Sequence, residues 1–202
     1  MRGLLAWVLA LILSPAHGLA QAEEAPPQRV VSMNLCTDQL AMLVADDEQL
    51  ISVSALAADP LNSAMADQAE QYPLNHGRAE EIHLLDPDLV VTGRFHAGPT
   101  VDMLRRLGIP VVVFDPANSL EAIRENIARM GEVLGQPGRA AKIVRAFDQR
   151  LAMLKAPVMR PPRAALYFPN GYTRGEQTLL GDIVRTAGFA NIASDAGVRT
   201  GA

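Results

Sequence analysis

The order of apolar runs predicts an α/β fold: two Rossmann-like parallel-sheet lobes joined by one long helix, with the second lobe incomplete. Three observations carry this expectation. Short runs at residues 30–33 (VVSM), 89–92 (LVVT) and 110–114 (PVVVF) are apolar throughout or nearly so, which marks strands covered on both faces of a parallel sheet. Segments of helical period stand between them, as crossover connections require. An unbroken helical pattern from Pro137 to about Lys155 then separates this alternation from a second strand, turn and helix. At 1.5 Å per residue such a helix spans about 28 Å, a length better matched to joining lobes than to crossing one sheet.

Composition narrows the function classes. The 202 residues are 49% hydrophobic and 20% charged with a single cysteine, which excludes a disordered, collagen-like or disulfide-stapled chain. Eighteen Lys and Arg against 22 Asp and Glu give a net charge of −4, and no basic block supplies the counterion release that drives nucleic-acid binding. A nucleic-acid partner is therefore not expected.

Residues 1–22 read as an export signal. Arg2 precedes ten apolar residues, 4–13, and small residues at Ala20 and Ala22 fit cleavage. The apolar run is about half of the ~20 residues a membrane-spanning helix needs, so the processed protein is expected in the periplasm without a membrane span. Cleavage removes Trp7 and Arg2, and the charge becomes −5. In that oxidising compartment the lone Cys36 has no partner for an internal disulfide.

The elements follow in order. Residues 23–136 are assigned to a first lobe: a polar leader, a strand at 30–33, a helix at 37–45, a strand at 50–54, a helix at 79–85, a strand at 89–92, a helix at 99–107 with Gly108 beyond its end, and a strand at 110–114. Asn118 or Ser119 caps a helix to Leu134, which Gly135 stops. Residues 137–156 form the joining helix. Residues 157–202 begin a second lobe, with a strand at 164–168, a turn at Pro169, Asn170 and Gly171, and a helix at 179–187. That strand is expected to lack a sheet partner within this sequence.

Four strings in this order resemble the class III, helical-backbone periplasmic substrate-binding proteins of ABC importers, the group that takes cobalamin and ferric siderophores. They are RVVSMNLCTDQL at 29–40, AEEIHLLDPDLVV at 79–91, LGIPVVVF at 107–114 and PNGYTRGEQTLLGDIVRTAGFANIA at 169–193. The resemblance runs from about Arg29 across the whole remaining chain. It implies two lobes bridged by a rigid helix, a metal chelate held between them, docking on a permease, a monomer, and no resident cofactor. It also implies that the second lobe would continue past Asp195, so the sequence ending at Ala202 is expected to be a fragment, a frameshifted product or an incomplete gene.

Ligands of open parallel sheets sit outside the carboxyl ends of the strands. The candidate ligand-binding residues are therefore Asn34, Cys36 and Thr37 after the first strand, Arg94, Phe95 and His96 after the third, and Asn170 and Tyr172 in the second lobe. Free backbone N–H groups at the first loop favour an anionic group; the competing reading has Thr37 capping the helix and Cys36 packed inside. Arg94, Phe95 and His96 offer a cation, an apolar face and an imidazole, a set for a carboxylated or catecholate-like chelate. The resemblance places a permease-docking carboxylate at Glu80 and a second at Glu176, with Gln177 one residue away as the alternative. The competing reading of Glu80 and Glu81 is a favourable charge in the first turn of a helix.

Other classes stay open at this stage. A bare zinc or manganese ion would need His76, His83, His96 and a carboxylate to converge, and haem would take Tyr172 or His96 as ligand. A periplasmic hydrolase would use Asp115 or Cys36 with His76 or His96 as base. No catalytic motif such as G-x-S-x-G or H-E-x-x-H occurs in the sequence.

Overall fold

Two adjacent valines, Val30 and Val31, are each fully buried, and so are Val90 and Val91. Neighbouring residues of a strand point to opposite faces, so these pairs need cover on both sides. The computed structural model describes residues 25–95, 98–154 and 158–201. The predicted signal at 1–22, His96, and Lys155 to Pro157 at the end of the predicted joining helix lie outside the described residues.

Five parallel strands form the main sheet: β1 (Val30–Ser32), β2 (Leu50–Ser54), β3 (Leu74–Asn75), β4 (Leu89–Gly93) and β5 (Val111–Phe114), in the order β3-β2-β1-β4-β5. On one face Val30, Leu89 and Val91 pack with Ala41 and Val44 of α1 (Leu35–Val44) and with Ile127 and Met130 of α5 (Leu120–Val133). On the other, Val31, Met33 and Val90 pack with Ile82 of α3 (Ala79–Leu84) and Leu104 of α4 (Gly98–Arg106). A short helix, α2 (Ala66–Ala69), lies in the β2 to β3 connection. The expected α/β class and parallel sheet are present.

Helix α6 (Pro137–Leu154) turns back along α5. The close approach is set by Gly131, where an added Cβ would lie 2.4 Å from the Cβ of Ala140. Beyond it, β6 (Arg163–Ala164) and α7 (Leu179–Thr186) begin a second unit. Its strand does have a partner: β6 pairs in parallel with β7 (Ala190–Asn191), which corrects the expectation of an unpartnered strand. The strand is also shorter than the predicted 164–168, because the two-residue β7 supplies no ladder for residues 165–168. A carboxylate ties this unit to the first. The Leu120 backbone N–H at the start of α5 donates to Asp182 Oδ2 at 2.8 Å, placing a negative charge at a helix N-terminus.

The first helix begins at Leu35 rather than Thr37, and its cap is Asn34, not Thr37. Asn34 has extended backbone (φ −148°, ψ 135°) and its side chain accepts from the Cys36 N–H, leaving Thr37 inside the first turn.

Gly131→Ala places a methyl group against Ala140 and forces α5 and α6 apart. Overpacking of this kind is expected to cost about 1–3 kcal/mol, read as a lower urea midpoint with an unchanged slope; an unaltered midpoint would show that the helix pair has room to spare.

Candidate functional site

In the order β3-β2-β1-β4-β5, the connections leave β1 and β4 in opposite directions, so the sheet reverses between these two strands. A crevice opens at such a point outside the carboxyl ends of the strands. The two loops that flank it touch: an added Cβ on Gly93 would lie 3.0 Å from both Cγ and Oδ1 of Asn34. Glycine at the end of β4 is therefore what lets the Asn34 cap lie against the neighbouring loop. Cys36 is exposed on the first turn of α1, contrary to its competing reading as a packed thiol. Partial burial, and next the Asp38 carboxylate, push that thiol above its ordinary value, which is the wrong direction for a nucleophile.

Beneath these loops lies a polar layer that local sequence patterns do not single out. Thr37 is fully buried; its hydroxyl donates to the Asn34 carbonyl at 2.9 Å and lies 2.8 Å from Ser32 Oγ. Asp38, also fully buried, accepts from the Ser54 hydroxyl and, at 3.1 Å, from the Ser54 N–H, which joins α1 to the end of β2. Asn75 completes the layer, donating to the Ser32 carbonyl at 2.8 Å and to Ser52 Oγ at 2.9 Å, and accepting from the Gly77 N–H. Burial raises the Asp38 carboxyl above its usual range; hydrogen bonds from Ser54, Ser32 and Asn34 offset only part of that rise. Thr37, Asp38 and Asn75 are thus fixed by partners within the lobe.

Arg94 follows β4 and Asp115 follows β5, and their side chains form an ion pair at the carboxyl ends of these strands. Phe95 is exposed beside Arg94, and His96 lies outside the described residues. In the second unit Asn170 and Gly171 both take positive φ (63° and 77°) in a tight turn closed by the Phe168 N–H on the Tyr172 carbonyl, with the Tyr172 ring exposed. Glu80 stands exposed in the first turn of α3. Glu176 is exposed and accepts from Ser194 Oγ at 3.4 Å; Gln177 is anchored through its N–H to the Arg199 carbonyl.

The alternative chemistries find no assembled site among the described residues. His76 pairs with Glu81, its ring Nδ1 at 3.2 Å and its backbone N–H donating at 2.8 Å, while His83 is exposed on α3. No group of three or more His, Cys, Asp or Glu gathers as a metal site among those residues. Asp115, one candidate nucleophile, is held by Arg94 rather than by a histidine. A cavity of about 610 Å³ opens elsewhere, between α5, α6 and α7, lined in part by Leu120, Arg124, Leu151, Asp182, Arg185 and Phe189. Its two arginines are already paired, Arg124 with Asp148 and Glu121, and Arg185 with Asp182.

A doubly wound sheet with built loops at its switch point defines a small-molecule binding fold. The chain belongs to the periplasmic binding protein family, which it matches over residues 30–201. Among curated proteins it is 28% identical over 184 residues to a cobalamin-binding protein of Halobacterium salinarum, covering 89% of this chain and 50% of that one. A vitamin B12-binding protein of Pectobacterium atrosepticum is 29% identical over 206 residues, covering 96% and 70%. The chain thus spans about half the length of the first of these relatives. Among solved structures, the periplasmic heme-binding protein RhuT of Roseiflexus sp. RS-1 superposes with a TM-score of 0.69 at 23% identity, covering 87% of this chain and 69% of that one, and shares its fold. No helix among the described residues is long and apolar enough to cross a membrane.

The raised Asp38 carboxyl sets a pH dependence of stability. A group that holds its proton more tightly in the folded chain contributes stability fully below its unfolded pKa of about 4, and loses it as pH rises through the folded value. Wild-type stability is therefore expected to fall relative to Asp38→Asn as pH rises from about 4 through the mildly acidic range. Urea unfolding of both proteins across that range checks this, and parallel pH profiles would contradict it.

Proposed function

We propose that this chain captures a metal chelate, such as cobalamin, haem or a ferric siderophore, and delivers it to the transmembrane permease of an ABC importer. One observation carries the reading: a chain of the periplasmic binding protein family carries an exposed cation and an exposed aromatic ring just after β4, the strand at its sheet reversal. The cobalamin-binding and B12-binding names of the relatives, and the heme-binding name of the structural neighbour, support a flat or caged metal compound as cargo.

In this reading residues 23–136 form the first lobe, 137–156 the joining helix and 157–202 the start of the second lobe. Asn34, Cys36 and Thr37 present the helix N-terminus to the ligand, Arg94 and Phe95 (with His96) contact it from the β4 loop, and Asn170 and Tyr172 close from the second unit. The protein holds and releases its cargo without chemical change, acts as a monomer in the periplasm, and carries no resident cofactor. Glu80 and Glu176 meet basic residues of the permease. Paired carboxylates of this kind set register and encounter rate more than affinity.

The test is a titration of the purified chain with cyanocobalamin, hemin and a ferric siderophore, followed by visible absorption. Saturable binding of at least one chelate with a Kd at or below roughly 10 μM is expected; no saturable change with any of the three would refute the reading. Docking is read separately. Glu80→Arg is expected to leave chelate binding intact while weakening stimulation of the importer ATPase by roughly three- to tenfold in apparent affinity, and undiminished stimulation would remove Glu80 from the docking surface.

A further inference from the structure

Arg94 and Asp115 face each other across the carboxyl ends of neighbouring strands β4 and β5. The spacing is fixed by the backbone. The Arg94 N–H donates to the Phe114 carbonyl at 3.0 Å, and Asn126 Nδ2 donates to the Asp115 carbonyl at 3.0 Å. Yet the pair is not buried, with side chains 63% and 59% exposed, and an ion pair in water contributes little to folding. The pair stands at the carboxyl ends of its strands, where ligands of open parallel sheets sit.

A third charge stands behind the pair. The guanidinium of Arg129 lies over the Phe114 ring, 4.7 Å from its centroid. It is near enough for its charge, after that of Arg94, to help hold the Asp115 carboxyl below its usual range. Arg129 thus stands over the residue next to Asp115, as a weaker second cation beside the paired Arg94. If Arg94 turns away, Asp115 keeps a positive neighbour, so the exchange does not strand a carboxylate.

We propose that Asp115 is a specificity-determining counter-ion: it holds Arg94 in the ligand-free crevice and yields it to a chelate that carries an anionic group, a carboxylate or a deprotonated catechol. Arg129 then takes over the charge of Asp115. The proposal rests on the chelate-binding reading above and names the ligand class that this crevice prefers. An anionic chelate replaces one carboxylate on Arg94 by another and keeps the charge-assisted bond. A neutral chelate gives Arg94 no reason to leave Asp115, and a cationic one meets the excess of guanidinium charge. Asp115 also repels an incoming anion, so its own charge raises the threshold and makes the choice sharper.

The experiment compares hemin, which carries two propionate carboxylates, with cyanocobalamin, which is neutral overall. Wild type, Asp115→Asn and Arg129→Gln are each titrated with both, and their melting curves are recorded to confirm folding. Asp115→Asn is expected to bind hemin roughly three- to tenfold more tightly, and Arg129→Gln to bind it more weakly by a similar factor, with cyanocobalamin affinity unchanged in both. Equal changes for the two probes, or none for hemin, overturn the counter-ion role while leaving chelate binding in place. Cyanocobalamin bound by every variant and hemin by none does the same. If hemin alone binds, the gain from Asp115→Asn must shrink between about 50 mM and about 500 mM salt, and a salt-independent gain overturns the proposal. Failure of the wild-type chain to bind either probe or a ferric siderophore overturns the chelate-binding reading itself, and the counter-ion role with it.

Discussion

Val30 and Val31 in β1, and Val90 and Val91 in β4, lose all contact with solvent because one member of each pair faces α1 and α5 and the other faces α3 and α4. Burying a valine side chain in this way contributes about 1.5–3 kcal/mol, and the four together anchor the centre of the sheet. The connections leave these two strands in opposite directions. The same burial that holds the lobe together therefore fixes where the connections diverge, and the strand reversal is a consequence of the core.

Just above the apolar layer, at the strand ends, lies a set of polar groups. Ser32, Thr37, Asp38, Ser54 and Asn75 are all buried within a few residues of the strand ends, and each has a partner inside the lobe. A buried polar group left unpaired costs more than a formed bond returns, so this network resists rearrangement. Beyond it, at the end of β4, Arg94 and Phe95 remain exposed. The division is physical: the paired groups are buried, and groups whose pairing is weak in water stay exposed.

The repeating apolar strands and the helices between them were legible because periodicity is local. Helix α6 was legible for the same reason, from Pro137 onward. Strand β3 was not, since a two-residue strand with Leu74 exposed on one side has no period to read. The competing reading of Thr37 as the cap was open because Asn34 and Thr37 both have capping chemistry, and only the extended backbone at Asn34 decides between them. Arg94 could be chosen as a candidate from its place after a strand, but its pairing with Asp115 spans 21 residues and depends on β4 and β5 being neighbours. Asp38 lies in the first turn of a helix, where a solvated acid is commonplace; its burial follows from strand order, which no local pattern encodes. The pairing of β6 with β7 was missed because each strand is only two residues long.

Amide hydrogen exchange, with and without a saturating chelate, tests most directly whether the β1 and β4 crevice is the binding site. Slowed exchange is predicted at residues 34–38 and 93–95 and at Phe114 and Asp115, with the amino ends of the strands, such as Gln49 and Leu50, unaffected. Protection confined to the cavity between α5 and α7, or spread evenly over the sheet, would contradict a site at the strand reversal.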